Sequence, residues 1–203
     1  MNFMKFWEES ITNKLLILMI IVFTLELIFP NIEDNFSLIP ALSIFEPWRF
    51  ITSIFLHADF FHIFWNGFAL LMFGNFLEAR ISKKDYILLF FVSGIFGNIL
   101  FYLFNPNSSV HALGASGAIF GILGCLGILY PNLTVYFGLA PMPMIFAVII
   151  WGVISFFGIF IPSYIAHEAH LGGLIIGIIY GIYLRKKFES QRIKRRKIIY
   201  YFA

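Results

Sequence analysis

Six apolar stretches, at about residues 15–29, 60–77, 86–104, 112–130, 142–161 and 165–184, decide what this chain can fold into. Each is long enough to cross a hydrocarbon layer of about 30 Å as a helix, the first being the shortest and extended by its flanks. Backbone polar groups have no water to turn to in lipid, so a spanning segment must satisfy them internally, which a helix does. The chain is 60% hydrophobic and only 12% charged, against about one half and one quarter for a soluble domain. The expectation is an all-α, polytopic membrane protein with three parts: an interfacial tail at 1–14, a six-helix membrane domain at 15–184 and a basic tail at 185–203. No small-residue cleavage site follows the first run, which meets Glu26, Phe29 and Pro30 instead, so it reads as a retained anchor. The single cysteine, Cys125, lies in an apolar run and reads as a small core residue. The boundary between the fourth and fifth helices falls in the uncharged stretch 131–143 and is the least defined.

Orientation follows from the cations. Of 14 Lys and Arg residues, only Arg49 falls in the loops on the second side; the others, including Arg80, Lys83, Lys84 and the run from Arg185, fall on the first. By the positive-inside rule both termini are cytoplasmic, and the second, fourth and sixth helices begin on the outer side. The basic tail reads as an anchor against anionic lipid in the plasma membrane, with no nucleic-acid role.

That topology brings three polar clusters to one depth. The second helix opens with His57, His62 and Asn66, the fourth with Gly114-Ala115-Ser116-Gly117, and the sixth with Ala169-His170. His62 and Asn66 are four apart and share a helix face. Gly173, Gly177 and Gly181 on the sixth helix, with Gly117, Gly121 and Gly124 on the fourth, make two thin faces that allow close backbone approach and would bring His170 to Ser116.

Each polar residue also has a plain packing reading, as an interhelical hydrogen bond worth about 0.6–2 kcal/mol. Together they have the parts of a reaction. A serine hydroxyl needs a base to take its proton, and histidine suits that task near neutral pH. Ser116 and His170 supply the pair; His62, Asn66 and the Ser116 backbone N–H supply donors for an oxyanion. No carboxylate is placed to orient His170, since Glu168 should point elsewhere, so a dyad is expected. The pocket must open to the outer side to admit the water that hydrolysis needs.

These residues resemble the rhomboid family of intramembrane serine proteases. The resemblance rests on Gly-x-Ser-Gly at 114–117, Ala-His-x-x-Gly-x-x-x-Gly at 169–177, the spacing of His57, His62 and Asn66, and the pair Trp48-Arg49. It implies a six-helix bundle of rhomboid type, a Ser116–His170 dyad, hydrolysis of peptide bonds in or near transmembrane helices of membrane-protein substrates, and no metal or organic cofactor. It also implies that 30–49 is a partly embedded loop, that 161–168 is a cap over the site, that His57 braces the loop, and that Glu78 is structural. Phe120 stands where some members carry tyrosine, and can pack on His170 without bonding to it.

Three rivals stand beside this reading. A zinc site would use His167 and His170, but these are three apart where helical ligands of that motif are four apart. A small polytopic transporter would need polar residues continuing toward the cytoplasmic face. A non-catalytic relative would bind transmembrane helices without cutting them. His111, just before the serine motif, reads as a surface residue.

Overall fold

The computed structural model describes the backbone of residues 10–137 and 139–201 and the side chains of 10–136 and 139–192. Residues 1–9 of the expected interfacial tail, and the side chains of the basic run from residue 193, lie outside the described residues. Among the described residues four helices are long and apolar enough to cross a membrane: α1 (Ile11–Ile28), α2 (Phe60–Glu78), α3 (Lys83–Phe104) and α6 (His167–Tyr201), the last over its stretch His167–Arg192. Two shorter apolar helices, α4 (Ser116–Leu129) and α5 (Met144–Gly158), complete the bundle.

α4 sits at the centre. Ten of its fourteen residues are buried, and it is nearly all Gly, Ala, Ile, Leu and Cys because every face meets protein. Its thin face lies against α6 as expected from the glycine spacing. A side chain added at Gly173 would collide with the Gly117 carbonyl, and one at Gly177 with that of Gly121. The pairing offset of 56 residues is therefore constant along the two helices, which run side by side in the same direction.

α2 is not a uniform helix. Its turn Leu70–Gly74 is of the wider i→i+5 kind, between α-helical Phe60–Ala69 and Asn75–Glu78. The extra residue rotates the half carrying His62 and Asn66 relative to the half carrying Glu78. The loop between α1 and α2 folds into short helical turns at Asn31–Phe36, Pro40–Ser43 and Arg49–Thr52.

Several boundaries differ from the sequence reading, among them the start of α1, at Ile11 and not near 15. α4 starts at Ser116 and not near 112, because Gly114 holds a backbone conformation no helix contains. α6 does not stop at Leu184 but runs to Tyr201, since Lys, Arg, Glu and Gln are good helix formers and the composition change alters only what the helix faces. The uncharged stretch 131–143 holds a β-hairpin, β1 (Thr134–Phe137) paired antiparallel with β2 (Ala140–Pro143).

Candidate active site

Ser116 is the first residue of α4. Just before it Gly114 stands at φ +121°, which L side chains rarely adopt, and a Cβ there would come 2.7 Å from His62 Nε2. The chain can only turn into α4 this sharply, and this close to α2, with glycine at 114. The turn is pinned from behind: Gly114 N–H donates to the Ser53 carbonyl at 2.8 Å, and Asn98 Nδ2 donates to Ser53 Oγ at 2.9 Å. Leu38 and Ala112 exchange both backbone hydrogen bonds, each at 2.9 Å, tying the α1–α2 loop to the segment that leads into Ser116.

His170 lies in the first turn of α6, and the close packing of α6 on α4 brings its Nε2 to 2.7 Å from Ser116 Oγ. At that distance the two atoms share one proton. With Nε2 accepting from the hydroxyl, the ring's own proton sits on Nδ1. Phe120, one turn after Ser116, stacks on the imidazole with ring centroids 4.3 Å apart and planes 10° apart. It fixes the ring by packing alone. Glu168 points away, as its position on the helix requires, and accepts from Asn105 Nδ2 at 3.1 Å.

His62 Nε2 and Asn66 Nδ2 approach the same spot beside Gly114, the latter 3.8 Å from where a Cβ would stand. Asn66 spends one donor on the His62 carbonyl at 3.0 Å, which fixes its amide and leaves the other N–H for a ligand. Ala115 caps α4 without a side-chain bond, and the first intrahelical bond runs from Ile119 N to the Ala115 carbonyl. The N–H groups of the first turn therefore lack intrahelical acceptors and carry the positive end of the helix dipole. Backbone donors, an imidazole and an amide thus surround the space next to the serine hydroxyl.

The supporting residues divide by what they hold. Arg49 is buried and donates to the carbonyls of Asp34 and Ser37 at 2.9 and 2.7 Å, with its Nε on Glu46, so it cross-links the α1–α2 loop internally. Trp48 is half exposed and donates to the Asn35 carbonyl at 3.3 Å. His57 is buried with its ring edge-on to His62 at 5.1 Å between centroids. Burial pushes its pKa down to about 3, so it is a neutral wedge behind His62.

Two residues of this region were not assigned from sequence. Glu26, near the end of α1, accepts the backbone N–H of His57 at 3.2 Å and so steadies the approach to α2. His111 is only half exposed; its Nδ1 lies 3.0 Å from Ser37 Oγ, joining the loop to the segment before Ser116. Neither carries a spacing signal, since each acts across the fold and not along one helix. A cavity of about 290 Å³ opens between the end of α3 and the segment leading into α6, with Asn105, Ser108, Ser163 and Glu168 in its wall. The stretch 161–168, expected as a cap over the site, lines this cavity, whose wall includes neither Ser116 nor His170.

Fold and site together define a class: a helical membrane protein with a serine–imidazole pair at the mouth of its central helix. A model of the rhomboid domain matches residues 45–187. The chain is 35% identical over 158 residues to rhomboid protein 1, mitochondrial, of Saccharomyces cerevisiae, covering 71% of this chain and 44% of that protein. It is 36% identical over 148 residues to the putative rhomboid protease YdcA of Bacillus subtilis, covering 72% and 71%. It also matches inactive RHOMBOID-like protein 8 of Arabidopsis thaliana, 30% identical over 132 residues, 64% of this chain and 36% of that one. The chain thus spans less than half the length of the yeast relative and most of the Bacillus one. It belongs to the rhomboid family, and is an integral membrane protein of a family that includes named proteases.

Proposed function

We propose that this chain is an intramembrane serine protease that hydrolyses peptide bonds in or near transmembrane helices of membrane-protein substrates. The observation that carries the proposal is the 2.7 Å contact between Ser116 Oγ and His170 Nε2. In the reaction Ser116 Oγ attacks the scissile carbonyl carbon while its proton passes to His170 Nε2. The carbonyl oxygen takes the negative charge in the space beside Gly114, where His62, Asn66 and the Ser116 N–H donate to it. Collapse of the tetrahedral adduct breaks the C–N bond, and the leaving amine takes the proton from His170. Water then enters and attacks the acyl carbon while giving a proton to His170; the bond from that carbon to Ser116 Oγ breaks, the acid leaves, and Ser116 Oγ takes the proton back from His170.

In this reading all six apolar helices cross the bilayer, with α4 and α5 shorter because the site end is sunk below the membrane surface. At 14 and 15 residues they reach only about 21 and 22 Å. Both termini are cytoplasmic, the site opens to the outer side of a plasma membrane, and the basic tail at 185–203, which follows the membrane domain at 15–184 and carries the end of α6 to Tyr201, binds anionic lipid. Substrates reach the site as transmembrane helices that unwind locally, because a helical carbonyl is closed off by its own hydrogen bond.

A serine-directed fluorophosphonate tests the proposal in detergent or liposomes. Wild type should label, and Ser116→Ala and His170→Ala should not. Absence of labelling in correctly folded wild type would overturn it and leave a helix-binding relative without hydrolysis.

A further inference from the structure

The hairpin 134–143 has no place in the chemistry above, and its surface is unusual for where it sits. Its level is fixed by α4 and α6. The offset of 56 residues that pairs Gly117 with Gly173 and Gly121 with Gly177 continues downward, with Gly181 beside Cys125 and Ile128. Carried to the end of α4, it sets Leu129 beside Arg185, where α6 changes from apolar to basic. The hairpin therefore starts at the membrane–water boundary of the end opposite the site.

Other chain at this level carries cations: Arg80 between α2 and α3, Lys83 and Lys84 at the start of α3, and Arg185, Lys186 and Lys187 on α6. From 131 to 143 there is no charged residue. The hairpin has two faces. Val135, opposite Met142 in the pairing, is buried against the core. Tyr136, opposite Pro141, is 72% exposed, and Leu139 at the turn is 98% exposed. Pro141 and Pro143 in β2 have no N–H, so this strand presents few donors that would need water. An apolar, aromatic surface with a hydroxyl, followed in the chain by the exposed Phe146 and Ile149 of α5, matches what rests among lipid headgroups and the first acyl carbons.

We infer that the hairpin is an interfacial membrane anchor, its exposed Tyr136 and Leu139 lying in the lipid leaflet at the basic end of the bundle. It stops the short α4–α5 pair from sinking toward the site end, since withdrawing Leu139 and Tyr136 into water would expose apolar surface. The occupant of this face is bilayer lipid and not another protein.

The test is an environment-sensitive fluorophore on a cysteine at position 139, and separately at 136, in the full chain in vesicles of phosphatidylcholine and phosphatidylglycerol. Native Cys125 is fully buried and stays in place. A label at exposed Lys84, at the same end, is the reference. The labels at 139 and 136 should emit further to the blue than the one at 84. Quenchers attached to lipid chains should dim them, and water-borne iodide should quench them about threefold less than the reference, as expected for groups seated below the headgroups. Iodide quenching equal to that at 84 for both positions would overturn the inference and leave the face for a protein partner. The readout does not depend on hydrolysis, so a Ser116→Ala chain should give the same values.

Discussion

At the basic end of the bundle Glu78 accepts from Ile11 N, Thr12 N and Ser10 Oγ at 2.7, 2.9 and 3.0 Å. Asp85 there accepts from Ser82 Oγ, Tyr180 OH and Lys187 Nζ at 2.6, 3.0 and 2.9 Å. Close to these carboxylates, in the first turn of α1, Asn13 is buried with neither its Oδ1 nor its Nδ2 partnered among the described residues, as are His57 Nε2 and His167 Nδ1 at the site end. Asn66 keeps a donor free, and the first turn of α4 has no side-chain cap. A satisfied polar network stabilises one arrangement; an unsatisfied one is costly and is kept where a ligand or transition state completes it. The comparison assigns cohesion to the two carboxylates of the basic end and chemistry to the free donors around Ser116, and that division can be broken by substitutions that act at only one end.

Ser116→Ala has the largest expected effect. It removes the attacking atom and should lower substrate cleavage by about three orders of magnitude or more, with unfolding unchanged, since the lost partner is one half-exposed hydroxyl. Cleavage assays in liposomes and thermal unfolding in detergent check the two halves. Glu78→Ala should do the reverse. The N–H groups of Ile11 and Thr12 lose their acceptor, while Ser10 Oγ keeps Asn75 Oδ1 at 3.2 Å. The cost is about 1–3 kcal/mol once partial exposure is allowed for, while fluorophosphonate labelling per folded molecule stays the same. A Glu78→Ala chain as stable as wild type but unlabelled would end the division between the two ends.

How much of this was legible depends on whether a feature leaves a period in the sequence. Ser116 and His170 did, because both open helices of the same direction and the glycines at 117, 121, 173 and 177 repeat every four residues, so depth and contact could be reckoned from spacing alone. His62 and Asn66 did as a same-face pair. The wide turn at Leu70–Gly74 left no mark, because one extra residue per turn in an apolar helix changes no residue type. The hairpin was hidden for another reason: at Val135–Met142 one face is buried and the other, on the present inference, lies in lipid, so both are apolar and the strand alternation vanishes. Glu26 and His111 act on partners 31 and 74 positions away, and no local pattern encodes such a contact.

Asn66→Ala sharpens the comparison within the site end. Its free amide donor is proposed to bond the oxyanion and not the resting substrate. The rate of cleavage should therefore fall about a hundredfold while the substrate concentration at half-maximal rate changes little. A loss confined to that concentration would make Asn66 a substrate-binding residue and leave the charge in the transition state to His62 and the backbone.

Phe120 gives the smallest effect and the most specific one. Its ring lies parallel to that of His170 and also touches Trp151 edge-on at 6.2 Å between centroids, so it holds the imidazole by shape and not by a bond. Phe120→Leu keeps an apolar filling but lets the imidazole tilt. Aromatic pairing of this kind is worth about 0.5–1.5 kcal/mol, so the rate should fall between about twofold and tenfold. Phe120→Tyr keeps the stack and adds a hydroxyl. If it equals wild type in rate, the stack alone orients His170. If Leu at 120 also equals wild type, orientation comes from α6 packing on α4 through Gly117 and Gly173, and the aromatic contact is incidental.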